Sequence, residues 1–98
     1  MSAMAERREG ACELCGRDKP LTFHHLIPRK NHRKRSFQRR YSAHEMRHRG
    51  LYVCRPCHDG IHDLIPSERE LGESYNTRDL LLGHEGFARH LAWVRKQK

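Results

Sequence analysis

Ninety-eight residues make one small domain, and with 36% of them hydrophobic and 33% charged the apolar core has to be modest. The formal charge of +8 is concentrated: Arg29 to Arg49 holds nine Lys/Arg against the single acid Glu45, while the remaining chain balances 11 bases against 11 acids. The longest purely aliphatic run, Leu80-Leu81-Leu82, is far too short for a membrane span, and Met1 to Gly10 is charged where a secretory signal would be apolar, so an intracellular, cytoplasmic protein is expected.

In chain order, residues 1–10 read as a flexible lead-in. Cys12-Glu13-Leu14-Cys15-Gly16 has the form of a metal knuckle, with Gly16 freeing the backbone for a tight turn. Leu21-Thr22-Phe23 reads as a short strand, and Pro28 bounds the segment after it. Within the basic stretch, Ser42 and Glu45 form a capping box for a short helix that stops near Gly50. Leu51-Tyr52-Val53 is a second short strand, and Pro56 suits the first turn of a helix carrying His58, Ile61, His62 and Ile65 that Pro66 ends. Ser67 with Glu70 opens another helical turn or two, Thr77 caps 78–82, and a final helix runs from about Glu85 to Lys96. Its Phe87, Leu91 and Val94 fall at i, i+4 and i+7, the stripe of a helix packed on a core, with Trp93 widening that stripe or lying at its edge.

Two thiolate pairs, Cys12-x2-Cys15 and Cys54-x2-Cys57, match the donor set of a tetrahedral structural zinc site, and soft thiolates favour zinc over magnesium or calcium. In a reducing compartment such pairs point to metal rather than disulfides. The 38 residues between the pairs exceed an ordinary zinc-ribbon gap, so the insert has a purpose of its own. Histidines form a second set. His58-x3-His62 puts two imidazoles on one helix face, and His24-His25 stands at the end of the first strand. Three imidazoles on one divalent ion leave coordination positions open, as a catalytic site requires. His32, His44, His48, His84 and His90 are scattered and read as surface or packing residues. The basic segment is a footprint for a polyanion, nucleic acid first and an anionic membrane a distant second.

The order Cys-x2-Cys, then Phe23-His24-His25-Leu26-Ile27-Pro28, then Leu51-Tyr52-Val53-Cys54-Arg55-Pro56-Cys57-His58-Asp59-Gly60-Ile61-His62 resembles the HNH endonucleases that carry a cysteine-bound zinc. The resemblance covers about Cys12 to His62, half of the chain. It implies a small α+β fold: a ββα-metal core over 11–66, stapled by zinc and interrupted by the basic insert 29–49, with helical cover over 67–98. It also implies a metal-dependent DNA endonuclease, monomeric or homodimeric, with no membrane partner. Matched position by position, His24, His58 and His62 become ligands of a catalytic divalent ion (Mg²⁺, Mn²⁺, Ni²⁺ or Zn²⁺) and His25 the general base. The products would be a 5′-phosphate and a 3′-hydroxyl.

The chemistry agrees with that division. Neighbours in a regular strand face opposite ways, so His24 and His25 share a site only where the strand ends or bends. An imidazole of pKa about 6.5 is largely neutral at pH 7 and can take a proton from water. Arg29, Lys30, Arg33, Lys34, Arg35, Arg39, Arg40 and Arg55 are the candidate contacts to DNA phosphates. One position departs from the family. Arg49, beside His48, stands where the central asparagine is expected; it is a candidate phosphate clamp or replacement, with Asn31 or Asn76 available from elsewhere in the chain. The alternative reading is a zinc-stapled nucleic-acid-binding module without catalysis, which gives the histidine cluster no purpose.

Overall fold

The computed structural model describes residues 7–97. Strand β1 (Arg7–Ala11) leads through the first cysteine knuckle into β2 (Asp18–His25). A 3₁₀ turn (Arg29–Arg33) and two short helices, α1 (Arg35–Arg40) and α2 (Ala43–His48), cross to β3 (Gly50–Cys54). Helix α3 (Arg55–Leu64) follows at once, and α4 (Glu68–Ser74), α5 (Arg78–Leu82) and α6 (Glu85–Val94) complete the chain. The three strands form one antiparallel sheet in the order β1-β2-β3, so the protein is a small α+β domain.

The helix starts follow local chemistry. Ser42 accepts the Glu45 N–H at 3.0 Å, Ser67 that of Glu70 at 3.2 Å and Thr77 that of Leu80 at 3.1 Å. Each satisfies a donor that the first helical turn leaves open. His84 does the same for α6 through Nδ1, 3.0 Å from the Phe87 N–H. Helix α3 has no side-chain cap, because its cap residue Cys54 belongs to the thiol cluster, and Pro56 fills its first turn. In the knuckle Gly16 takes φ +83°, the left-handed conformation expected of it, and donates its N–H to the Cys12 carbonyl at 2.9 Å.

The main core joins Leu14 of the knuckle, Leu21, Leu51 and Val53 of the sheet, Ile61 of α3 and Leu71 and Leu81 of the following helices. Phe87, Leu91 and Val94 enter it as one stripe of α6, all essentially inaccessible, whereas Trp93 lies outside that stripe at 57% exposure. A second, smaller core of Ile27, Phe37 and Met46, with Tyr41 against it, sits under the basic segment.

One expectation is corrected. Arg7–Gly10 is not a lead-in: its backbone pairs with β2 from Arg7↔Thr22 to Gly10↔Lys19, and only residues 1–6 of the expected lead-in lie outside the described residues. The basic stretch also holds a helix beyond the expected one, α1, formed around the buried Phe37. No helix among the described residues is long and apolar enough to cross a membrane.

Candidate functional site

The four cysteines converge at the knuckle and the β3–α3 junction. Cys12, Cys15, Cys54 and Cys57 are all buried, and their sulfurs lie within 4.8 Å of one another. Cys15 Sγ and Cys54 Sγ are 3.6 Å apart. Sulfurs 2.3 Å from a tetrahedral zinc stand roughly 3.8 Å apart, so the cluster has the dimensions of a structural zinc site. The backbone supports thiolate character, since Cys12 Sγ faces the N–H groups of Leu14, Cys15 and Cys54 at 3.3–3.5 Å. A hydrogen bond from Cys57, together with these amides and against burial, holds Cys12 down to about 4. Burial pushes Cys54 up to about 11, and the bond to Cys12 followed by burial pushes Cys57 far above the ordinary thiol range. Four thiols this close cannot all ionise without a cation between them, and a soft divalent ion would supply it.

The second cluster is the histidine triad. His24 comes from the end of β2, and His58 and His62 come from one face of α3. The ring centroids form a nearly equilateral triangle: 5.3 Å for His24–His58, 5.5 Å for His24–His62 and 5.2 Å for His58–His62. One nitrogen of each lies within 4.8 Å of the other two, against roughly 3.3 Å between imidazole nitrogens on a tetrahedral zinc. His24 is 1% exposed, and both of its ring nitrogens are buried with no hydrogen-bond partner among the described residues. Buried polar atoms are rarely left so, and a metal ion is one group that satisfies such a nitrogen. Burial, followed by the neighbouring His58, His62 and His25, lowers His24 to about 3, so its ring is neutral, as a ligand must be. His58 is lowered as well, by burial first and then by His62 and Arg55. Its Nδ1 lies 2.8 Å from Thr22 Oγ1.

His25 is the last residue of β2, still paired with Gly50 across from it, and packs beside Phe23, its neighbour two residues back on the same face of the strand. His24 and His25 line one cavity of about 240 Å³ together with Phe23, Pro28, Arg29, Lys30, His58, His62 and Glu68. Phe23 meets His25 edge-on, ring centroids 4.9 Å apart. Gly50, opposite His25 in the register, leaves room for this packing, since a Cβ there would collide with the Phe23 ring and the His24 carbonyl.

Of the basic candidates, Arg29 and Lys30 stand at the cavity, Lys30 with its ammonium 3.8 Å from Glu68. Arg33, Lys34, Arg35, Arg39 and Arg40 are exposed along the 3₁₀ turn and α1, outside the cavity lining. Arg55, at the start of α3, pairs weakly with Asp59 at 3.5 Å and borders a separate hollow with Arg17 and Lys19. Arg49 is drawn away from the histidines. Its Nε donates to the Asn76 carbonyl at 2.9 Å, it pairs with Glu45 at 2.8 Å, and its guanidinium lies over the Tyr41 ring. These contacts tie α2 to the α4–α5 loop, and Arg49, expected as phosphate clamp or asparagine replacement, stands outside the lining of the histidine cavity. The two asparagines also have other work, Asn31 bonding the Glu68 carbonyl and Asn76 the Gly72 carbonyl and the Tyr41 hydroxyl.

Two residues of the site were not singled out from the sequence. Thr22 had a readable signal, because it lies two residues before His24 on the same face of β2. Glu68 had none: it reaches the cavity only because the 3₁₀ turn packs on α4. Comparison with family models, curated proteins and solved structures finds no match to this chain.

Proposed function

We propose that this chain is a metal-dependent endonuclease of the HNH, ββα-metal type that hydrolyses DNA phosphodiester bonds, stapled by zinc on its four cysteines. The observation that carries the reading is the single cavity. In it the neutral His24, whose ring nitrogens have no hydrogen-bond partner among the described residues, meets His58 and His62 from α3, with His25, Arg29 and Lys30 beside them. A module that only bound nucleic acid would have no use for three converging imidazoles. The order β2, β3, α3, with α3 packed against the hairpin, supports assigning the core to the ββα-metal type.

In this reading His24, His58 and His62 hold a divalent ion, which when bound would offset negative charge developing on the phosphoryl group. His25 takes the proton from the attacking water, as a neutral imidazole can at pH 7. Arg29 and Lys30 hold the phosphate at the cavity mouth, and Lys30 exchanges Glu68 for it. The exposed cations of the 3₁₀ turn and α1 extend the contact along the backbone and carry no base information.

The test is incubation of zinc-loaded protein with supercoiled plasmid, with and without Mg²⁺, Mn²⁺ or Ni²⁺, beside a folded His25→Ala variant. Metal-dependent nicking or linearisation that falls about 10²- to 10⁴-fold in the variant is expected. No cutting with any ion, but tight and salt-sensitive DNA binding, would replace the nuclease with a zinc-stapled binding module.

A further inference from the structure

The triad differs from residue to residue in how its second nitrogens are held. His62 is exposed, and His24 has no hydrogen-bond partner among the described residues. Among the described residues, His58 alone of the three is gripped by a protein group: Nδ1 sits 2.8 Å from Thr22 Oγ1, and that same hydroxyl lies 3.3 Å from the Val53 carbonyl, directly across the β2–β3 pairing. A hydroxyl has one proton to give. The Val53 carbonyl can only accept, so a Thr22 that donates to it is left to accept, and the ring proton of His58 must then be on Nδ1.

We propose that Thr22 is a positioning residue for the metal centre: by donating to Val53 and accepting from His58 Nδ1–H, it holds the His58 ring beside His24 and His62 with Nε2 bare and free to ligate. The inference rests on the reading of the triad as a metal site and adds the group that prepares it. The reverse arrangement, Thr22 donating to Nδ1, would put the proton on Nε2 and leave His58 no bare nitrogen for a cation. The relay also explains why threonine suits this strand position. Its hydroxyl is on the triad face, while its backbone pairs with Val53 in the ladder that holds β3 and therefore α3 in place. Partners of this kind fix the tautomer and orientation of a ligating imidazole, and losing one typically weakens metal affinity about 10- to 100-fold.

The experiment uses full-length protein carrying one equivalent of zinc, titrated with Ni²⁺ in a calorimeter, as wild type, Thr22→Val and Thr22→Ser. The Val variant is expected to bind Ni²⁺ about 10- to 100-fold more weakly and the Ser variant to stay within about threefold of wild type. Zinc content and thermal midpoint are expected to be unchanged in both. Imidazole ¹⁵N shifts before Ni²⁺ addition should show His58 as the Nδ1–H tautomer in wild type and as a mixture in Thr22→Val. Equal Ni²⁺ affinity in wild type and Thr22→Val, or an Nε2–H tautomer in wild type, would overturn the role of Thr22 while leaving the metal site standing. A wild type with no Ni²⁺ site beyond the zinc would remove the metal reading itself. If Thr22→Val does not fold, the wild-type tautomer and the Ser variant decide the matter.

Discussion

A histidine as deeply buried as His24 keeps its ring neutral, because a charged imidazole would lose its hydration and its closest titratable neighbours are other histidines. Its pKa of about 3 in the folded chain, against about 6.5 when unfolded, makes it a source of acid sensitivity. Above pH 6.5 neither state binds the proton and the full stability is present. Between 6.5 and 3 the unfolded chain binds it and the folded one does not, so stability falls by up to about 1.4 kcal/mol per pH unit. His58 is shifted the same way and adds to the slope. Urea unfolding of zinc-loaded protein at pH 7, 6 and 5 should show this loss, and His24→Leu should flatten it; an unchanged slope in that variant would contradict the assignment. Arg49 makes the opposite point at the same scale. Its position matched a family's catalytic amide, but its side chain is held by Glu45, the Asn76 carbonyl and Tyr41. Sequence position identified where it stands, and only packing decides where a long flexible side chain goes.

Among the elements, α3 and α6 meet through a contact that sets a clear mutational sign. Gly60 on α3 has no room for a Cβ, because the His90 ring of α6 lies against it and donates to the Pro56 carbonyl at 3.0 Å. Gly60→Ala should gain about 1 kcal/mol of helix propensity but expel His90, breaking that bond and its packing. A net destabilisation of about 1 kcal/mol is expected. In a His90→Ala background the same substitution should instead stabilise by about 1 kcal/mol. Urea midpoints of the four proteins measure the coupling, and additive effects would contradict the contact. Local signals were the legible part of these elements. The Ser42, Ser67 and Thr77 caps, the i, i+4, i+7 stripe of Phe87, Leu91 and Val94, and the His58-x3-His62 spacing all depend on near neighbours. Strand β1 was not legible, since Arg7-Arg8-Glu9-Gly10-Ala11 has no apolar alternation to announce its backbone pairing with β2. Helix α1 was hidden for a related reason: Phe37 is its one buried residue, so no periodicity marks it.

For the whole molecule, the two clusters share one helix, α3. The cysteine cluster ties the first knuckle to the start of α3, and α3 carries two of the three triad histidines. A structural zinc is worth roughly 10 kcal/mol or more in small folds, comparable with the entire stability of a domain. Chelating it, or substituting Cys57→Ser, should abolish the cooperative unfolding transition seen by circular dichroism; a folded zinc-free protein would show that the hydrophobic core suffices. The charge asymmetry predicts a different readout. If Arg33, Lys34 and Arg39 meet phosphates, their joint replacement by alanine should weaken DNA binding without changing the fold. The slope of log K against log salt should become shallower by about 0.9 for each phosphate that is no longer neutralised. An unchanged slope would move the DNA path off the α1 edge.

The central claim is that cutting depends on an ion held by the histidines and distinct from the zinc on the cysteines. The direct measurement is plasmid cleavage by protein loaded with one equivalent of zinc and freed of other divalent ions, as Mn²⁺ or Ni²⁺ is added back, for wild type beside His62→Ala. No cutting is predicted at the start, then a saturable rise with the second ion in wild type, and a shift of that curve to much higher metal in the variant. Full activity with only the cysteine-bound zinc, or identical curves for the two proteins, would contradict it.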